Sequence, residues 1–301
     1  MKILGINALN HDAAITMIED GEILFAGHSE RYSGVKNDSE LNSALFADCY
    51  RQGGKPDKVV YFERPYLKKL RQLKAGQYGE VLSYKNTPRY YLRDFVGNAE
   101  IEYVQHHQSH AAAGYFTSPY EESAIVVIDA IGEFETCSIW YAWGSHFEKR
   151  YTLKYPNSLG LWYSAMTQRL GLKPQEDEYI LMGMAGWGTQ DHKLKNSIRE
   201  DFFNNSDKPI DLKNNLHRGC LDWNPEYYPD DDSDDWKFNI AANVQWICEE
   251  EIQKVFELTK RLVPETDNCV YMGGVALNCV ANSIIARDYY PNLWILPNPG
   301  D

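Results

Sequence analysis

The sequence is short of basic charge. It carries 30 Lys and Arg against 43 Asp and Glu, a formal net charge of -13. A large nucleic-acid footprint needs clustered Lys and Arg, so no such footprint is expected, nor an anionic membrane surface as partner. Long apolar runs are also missing. None reaches the roughly 18–20 residues that a membrane helix needs. Met1-Lys2-Ile3-Leu4-Gly5-Ile6 is too brief an apolar stretch for a signal peptide and meets polar residues at once. The six cysteines (49, 137, 220, 248, 269 and 279) include no Cys-x-x-Cys spacing and lack the density of a disulfide scaffold. These absences predict a soluble cytoplasmic chain with reduced thiols.

What is present centres on Val104-Gln105-His106-His107-Gln108-Ser109-His110, followed by Ala111-Ala112-Ala113-Gly114. Three of the eight histidines fall within five residues. Helical spacing puts His106 and His110 on one face, roughly 5–6 Å apart at Cβ. Neutral imidazoles at that separation can grip one metal ion. His107 points away from that face, towards a substrate or the wall of a site. A zincin protease would have Glu after the first histidine, and His107 stands there instead. The run Ile125-Val126-Val127-Ile128 reads as a buried strand that delivers Asp129 at its C-terminal end, a third candidate ligand.

At 301 residues the chain has room for two domains or one large duplicated one. Lys2 to Ala8 reads as a strand ending in a polar turn, Asn7 to Asp12. Ala13 to Ile18 is a second strand, Asp20-Gly21 a hairpin turn, and Glu22 to His28 a third strand. The same pattern recurs about 120 residues later. Ala124 to Asp129 is a strand, Ala130-Ile131-Gly132-Glu133 a polar turn, Thr136 to Trp143 a strand, Gly144-Ser145 a turn, and Phe147 to Leu153 a strand. This predicts an internal duplication, an α/β fold of two related halves around a central cleft with the polar turns facing it. The first half is expected over 1–110, with a basic, Tyr-rich helical excursion at 64–98. The second is expected over 111–301, with a solvated acidic insertion at 204–239.

Helices are expected over residues 40–52, 159–170 and 239–262. Met182-Gly183-Met184-Ala185-Gly186-Trp187-Gly188 alternates small and large residues, which suggests a backbone packed close to something. Near the end, Cys269 to Met272 is a strand, Gly273-Gly274 follows, and a helix with small residues runs on through Asn278. Strand, Gly-Gly, helix is an arrangement that cradles phosphate on bare backbone N–H groups.

Four segments belong together: Asn10-His11-Asp12-Ala13-Ala14, His106-His107-Gln108-Ser109-His110-Ala111, Asp129-Ala130-Ile131-Gly132-Glu133, and Met272-Gly273-Gly274-Val275-Ala276-Leu277-Asn278-Cys279-Val280-Ala281-Asn282. Glu30-Arg31 with Lys36 and Asp38 forms an early loop of the same kind, as does Leu181-Met182-Gly183-Met184-Ala185. Jointly they resemble the carbamoyltransferases of the nodulation-protein-U type, which include O-carbamoyltransferases of antibiotic biosynthesis. The sequence departs from that pattern at Ile180, where the family often has Lys, and at Gly186-Trp187, where it has Pro-Tyr.

The resemblance implies an actin-like ATPase (ribonuclease H-like) fold, akin to the tRNA threonylcarbamoyl-transfer protein. It also implies a mononuclear metal, usually iron, on residues matching His106, His110, Asp129 and Asp301. Two histidines and two carboxylates suit Fe(2+), manganese or zinc. Family members make carbamoyl-adenylate from carbamoyl phosphate and ATP, then pass the carbamoyl group to a hydroxyl of a small molecule or sugar. Adenylate formation belongs to a second, C-terminal domain missing from this sequence. The expected partner is therefore a separate adenylate-forming chain, and the end of the first domain is expected to be missing too.

For the transfer itself, His11 is the candidate general base, oriented by Asp12, and Lys36 would neutralise developing charge. Asp129, Gly132, Glu133, Gly160, Gly273, Gly274 and Asn278 would hold the nucleotide and carbamoyl group. Two other readings stand beside this one. One is a truncated, inactive relative that binds a nucleotide or a partner. The other is a tRNA threonylcarbamoyl-transfer relative, against which the net charge of -13 and the Gly-Gly-Val-Ala-Leu-Asn segment weigh.

Overall fold

The computed structural model describes residues 1–83, 87–225 and 235–300. It divides into two compact units. One comprises Met1–Ser109 with Gly132–Phe134, the other His110–Ile131 with Glu135–Gly300.

The first unit holds a five-stranded sheet of β1 (Lys2–Asn7), β2 (Ala14–Glu19), β3 (Glu22–His28), β4 (Lys58–Tyr61) and β5 (Ile101–Tyr103), in the order β3-β2-β1-β4-β5. β1, β2 and β3 form an antiparallel meander, and β4 and β5 add on in parallel. The β2–β3 turn is Asp20-Gly21 as expected, with both residues at positive φ (51° and 93°). That conformation matches the twist of a two-residue hairpin. Helix α1 (Glu30–Ser33) and helix α2 (Ser43–Gly53) follow. Asn42 caps α2 by accepting from the Leu45 N–H at 2.9 Å. Leu45, Phe46 and Cys49 of α2 bury their side chains with Leu4, Ile6, Ile15 and Met17 of the sheet. The 64–98 excursion is helical, as expected: α3 (Pro65–Lys74), α4 (Tyr78–Leu82), α5 (Pro88–Tyr91) and α6 (Arg93–Val96). Lys85 lies outside the described residues.

Helix α7 (His106–Thr117) leads into the second unit. Its sheet comprises β6 (Glu122–Gly132), β7 (Glu135–Trp143), β8 (His146–Lys154), β9 (Asn268–Met272) and β10 (Asn292–Trp294), in the order β10-β9-β6-β7-β8. β7 and β8 run antiparallel, and β9 and β10 add on in parallel. The order repeats that of the first sheet strand for strand, so the duplication read from the turns is a duplication of topology. β6 is buried on both faces. Val126 and Ile128 join one apolar cluster, and Ile125 and Val127 join another with Ala111 and Tyr115 of α7. Burial on both faces explains an unbroken Ile-Val-Val-Ile run where a one-sided strand would alternate.

The remaining helices are α8 (Leu159–Arg169), α9 (Glu178–Ala185), α10 (His192–Phe202), α11 (Asp235–Leu262) and α12 (Cys279–Asp288). The expected helix after Gly273-Gly274 opens as a single 3-10 turn, Gly274–Leu277, and becomes α-helical only at Cys279.

Three expectations need correction. Residues 130–133 are not the expected polar turn. β6 pairs with β7 as far as Gly132, and the reversal is confined to Glu133 and Phe134. The segment after 204 is not wholly a solvated insertion. Ile210, Leu212 and Leu216 are buried in the core, and Phe203 bridges Leu212. Its acidic run at 229–234 lies outside the described residues. Close packing around Met182–Gly188 holds only at its end. A Cβ at Gly188 would fall 1.9 Å from the Phe238 carbonyl oxygen, whereas one at Gly183 would meet nothing within 4 Å.

A charged network ties α10 to α11. Arg199 reaches Glu251 at 2.8 Å and Glu250 at 2.7 Å, and Lys195 reaches Glu250 at 2.8 Å. Glu251 is 1% exposed, and it also accepts from Lys254 and from the Ile210 N–H. Removing one partner of a buried pair costs about 3–5 kcal/mol, and the surviving Lys254 should bring Arg199→Met to about 2–4 kcal/mol by denaturant unfolding. Burial pushes the Glu250 carboxyl up, but hydrogen bonds from Lys195 and Arg199 outweigh it and hold that carboxyl below its ordinary value. A lowered folded pKa adds stability that is complete above the ordinary carboxylate range and is lost as pH falls through the lowered value. Arg199→Met should therefore flatten the acid limb of the stability curve.

All six cysteines are free. Among the described residues, no helix is long and apolar enough to cross a membrane.

Candidate functional site

His106 opens α7, and His110 lies one turn along the same helix. Ligand-capable atoms of His106, His110 and Asp129 all lie within 4.8 Å of one another. The three are 2%, 6% and 8% exposed. His107 is fully buried, so it does not face solvent.

The first turn of α7 is pinned from several sides. Ser109 Oγ donates to the Phe62 carbonyl at 2.9 Å, just beyond β4. The Phe62 ring packs on the His106 imidazole, centroids 5.4 Å apart. Gly132 lies against the same imidazole. A Cβ built there would sit 2.0 Å from His106 Cδ2. Gly132 is thus a residue whose missing side chain makes room for His106, a tighter role than the expected ligand contact.

Glu133 follows at φ 50°, 3% exposed. Arg64 holds its carboxylate. The Arg64 backbone N–H donates to Oε1 at 2.7 Å, and the guanidinium donates to Oε1 at 3.0 Å and to Oε2 at 2.6 Å. Arg64 is not marked as a site residue by any sequence motif. It stands 69 residues from Glu133, and no local pattern marks a partner at that distance.

Asp129 is also met by the glycine pair. The Gly274 N–H donates to Asp129 Oδ1 at 3.3 Å. Gly273 has φ 92°, and a Cβ there would fall 2.3 Å from the Ile128 carbonyl oxygen. On the other side of the strand end, Ser158 caps α8 and donates to the Ala130 carbonyl at 2.5 Å. Gly160 packs so tightly that a Cβ would come 2.7 Å from Ala130 Cα. Asn278 is committed elsewhere. It exchanges two amide hydrogen bonds with Gln245, 2.9 and 3.0 Å, and caps α12 through Ala281. Asp301, the fourth expected ligand, lies outside the described residues.

The other expected site residues sit in the first unit. His11 Nδ1 lies 2.8 Å from Asp12 Oδ2, and Asp12 has φ 56°. Lys36 is exposed in the turn after α1. A residue not anticipated joins Asp12: His28 Nε2 lies 3.4 Å from Asp12 Oδ1.

The family model described as carbamoyltransferase N-terminus matches residues 59–301. The chain belongs to that family. Uncharacterized protein sll1178 of Synechocystis is 29% identical over 99% of this chain and 55% of its own length. Nodulation protein NolNO of Sinorhizobium fredii is 26% identical over 60% of this chain and 28% of its own. The chain thus spans about half of the first relative and less of the second. Among solved structures, HypF of T. kodakarensis superposes over 100% of this chain and 46% of its own, with TM-score 0.52 and 12% identity. The fold is that of the actin-like ATPases, in agreement with the repeated sheet order.

The donor set of this family member fits a metal. Two buried imidazoles and a buried carboxylate bring ligand-capable atoms within 4.8 Å of one another, a donor set that can hold a divalent ion. Nitrogen and oxygen donors in this proportion suit iron, manganese or zinc.

Proposed function

We propose that the chain is the transfer domain of an O-carbamoyltransferase. It would move the carbamoyl group of carbamoyl-adenylate, made from carbamoyl phosphate and ATP, to a hydroxyl of a small-molecule or sugar acceptor. The observation that carries this reading is the convergence of His106, His110 and Asp129 in a chain of the carbamoyltransferase N-terminus family. A separate adenylate-forming chain or domain would supply the adenylate.

Carbamoyl transfer is acyl transfer to a weak nucleophile. The acceptor hydroxyl must lose its proton as it attacks, and charge grows on the carbamoyl oxygen. His11 takes the proton. Asp12 Oδ2, 2.8 Å from His11 Nδ1, holds the tautomer that donates from Nδ1, which makes Nε2 the basic nitrogen. Oxygen attacks the carbamoyl carbon, the bond to the phosphate oxygen breaks, and AMP leaves with the electron pair. Lys36 places positive charge near the growing anion. The missing Cβ at Gly273 lets the end of β9 pack on the Ile128 backbone, and the Gly273 and Gly274 N–H groups already donate to the Pro299 carbonyl and to Asp129, so this pair would support Asp129 and not cradle phosphate itself. His106, His110 and Asp129 would hold a divalent ion, Fe(2+) or a similar one. Such an ion supplies Lewis acidity toward a carbonyl or phosphate oxygen.

The test supplies carbamoyl-adenylate and a panel of sugar and small-molecule hydroxyl acceptors to the purified chain, with product mass as the readout. Transfer to at least one acceptor is expected. His11→Asn should slow it by about 10²–10⁴-fold, the usual worth of a general base. No transfer to any acceptor would leave a nucleotide- or partner-binding role and overturn the assignment.

A further inference from the structure

A second group of ligand-capable side chains, sharing no residue with the first, lies in the first unit. Atoms of Asp12, His28 and Glu30 all lie within 4.8 Å of one another. We propose that these three residues form a second divalent-cation site, one that takes a borderline transition ion such as Zn2+ through one imidazole and two carboxylates.

The three donors are brought together by one local piece of backbone. His28 is the last residue of β3 and pairs in register with Ala14, the first of β2. Asp12 lies in the turn just before β2, and Glu30 opens α1 just after β3. The frame is closed by short hydrogen bonds. The Ser29 N–H donates to the Ala13 carbonyl at 2.7 Å, and the Ala13 N–H donates to the Asp38 carbonyl at 2.7 Å. Ser29 is fully buried, and its Oγ donates to the Glu40 carbonyl at 2.5 Å. The donors thus sit at a hairpin end held by hydrogen bonds to the 38–40 segment.

Each donor has an atom suited to a cation. Asp12 divides its oxygens. Oδ2 takes His11 Nδ1 at 2.8 Å, and Oδ1 faces His28 Nε2 at 3.4 Å. His28 Nε2 is buried and makes no hydrogen bond among the described residues, which leaves a ring nitrogen shielded from water 3.4 Å from the Asp12 carboxylate. Glu30 accepts the Asn37 N–H on Oε2 at 3.0 Å, which orients the carboxylate and leaves its acceptor capacity far from exhausted. A neutral imidazole and two carboxylates carry a formal charge that a divalent ion cancels. Three protein donors leave a position open for water or a substrate oxygen, as in zinc sites that are not purely structural.

The probe is Zn2+ alone, added to metal-stripped His110→Ala protein so that the first group is already disabled. One equivalent is expected to remain bound, with a rise in melting temperature on Zn2+ addition. Adding His28→Ala or Glu30→Gln to that background should weaken the remaining equivalent by at least about 10-fold and abolish the thermal shift. Glu30→Gln keeps the shape of the side chain, so it decides the matter if His28→Ala fails to fold. Cobalt(II) in place of zinc should give visible absorption bands that the same two changes remove. Failure of the His110→Ala protein to hold Zn2+ would overturn the proposal. So would retention of the equivalent at unchanged affinity in both double variants. Neither result bears on carbamoyl transfer, which the acceptor panel tests separately.

Discussion

Gly132→Ala should weaken the metal binding proposed for the His106 site while leaving most of the fold standing. The new Cβ would lie 2.0 Å from His106 Cδ2 and 2.8 Å from Nε2, closer than any real contact. The backbone at 132 has little freedom to retreat. It ends β6, and Arg64 holds the next residue, Glu133, through backbone and guanidinium together. The imidazole must therefore leave its place. Residues that position a ligating histidine typically contribute about 10–100-fold to metal affinity, so a loss of at least that size is expected. Overpacking adds about 1–3 kcal/mol of destabilisation. Metal titration alongside thermal unfolding of the metal-free protein separates the two effects. Unchanged affinity would show that His106 is not a ligand.

Gly273→Ala should destabilise the second unit strongly. Two costs add. The residue sits at φ 92°, where an L side chain is strained by about 1 kcal/mol, and overpacking against backbone costs about 1–3 kcal/mol more. The obstacle is the Ile128 carbonyl oxygen at 2.3 Å, with the Ile128 backbone nitrogen at 3.1 Å, and neither can swing aside as a side chain would. Relief would need β9 to part from β6, strands paired from Ala124↔Cys269 to Val127↔Met272. A loss of about 2–4 kcal/mol corresponds to a melting point lower by roughly 5–15 °C. The Gly274 N–H, which donates to Asp129, would shift with it. Metal affinity should fall as well, and a variant with normal melting would contradict the packing described here.

The sequence was informative where structure depends on near neighbours. Both hairpins follow from alternating or continuous apolar runs punctuated by Asp-Gly and Gly-Ser turns. The helix at His106 follows from spacing, and the apolar face of α11 from its period. What escaped was fixed by distant partners. Arg64 closes on Glu133, and Asn278 pairs with Gln245 across 33 residues. Asn278 looked like a nucleotide contact because it follows Gly273-Gly274, yet its amide is spent on Gln245 and a helix cap. His28 read only as the end of a strand. Its neighbours Asp12 and Glu30 flank the hairpin on both sides, and only the β2–β3 register brings them together. The reversal at Glu133 and Phe134 was placed too early because Ala130-Ile131-Gly132 looked like a turn. Pairing with β7 carries the strand through it.

The metal content of the purified chain and of its His106→Ala and His110→Ala forms tests the site most directly. Each protein is loaded with iron(II), manganese or zinc, desalted, and measured for metal per chain, with circular dichroism to verify folding. The original chain should retain about one equivalent more than either variant, the content expected of a single three-donor centre. Equal metal in all three folded proteins would contradict the assignment of His106, His110 and Asp129 to one centre.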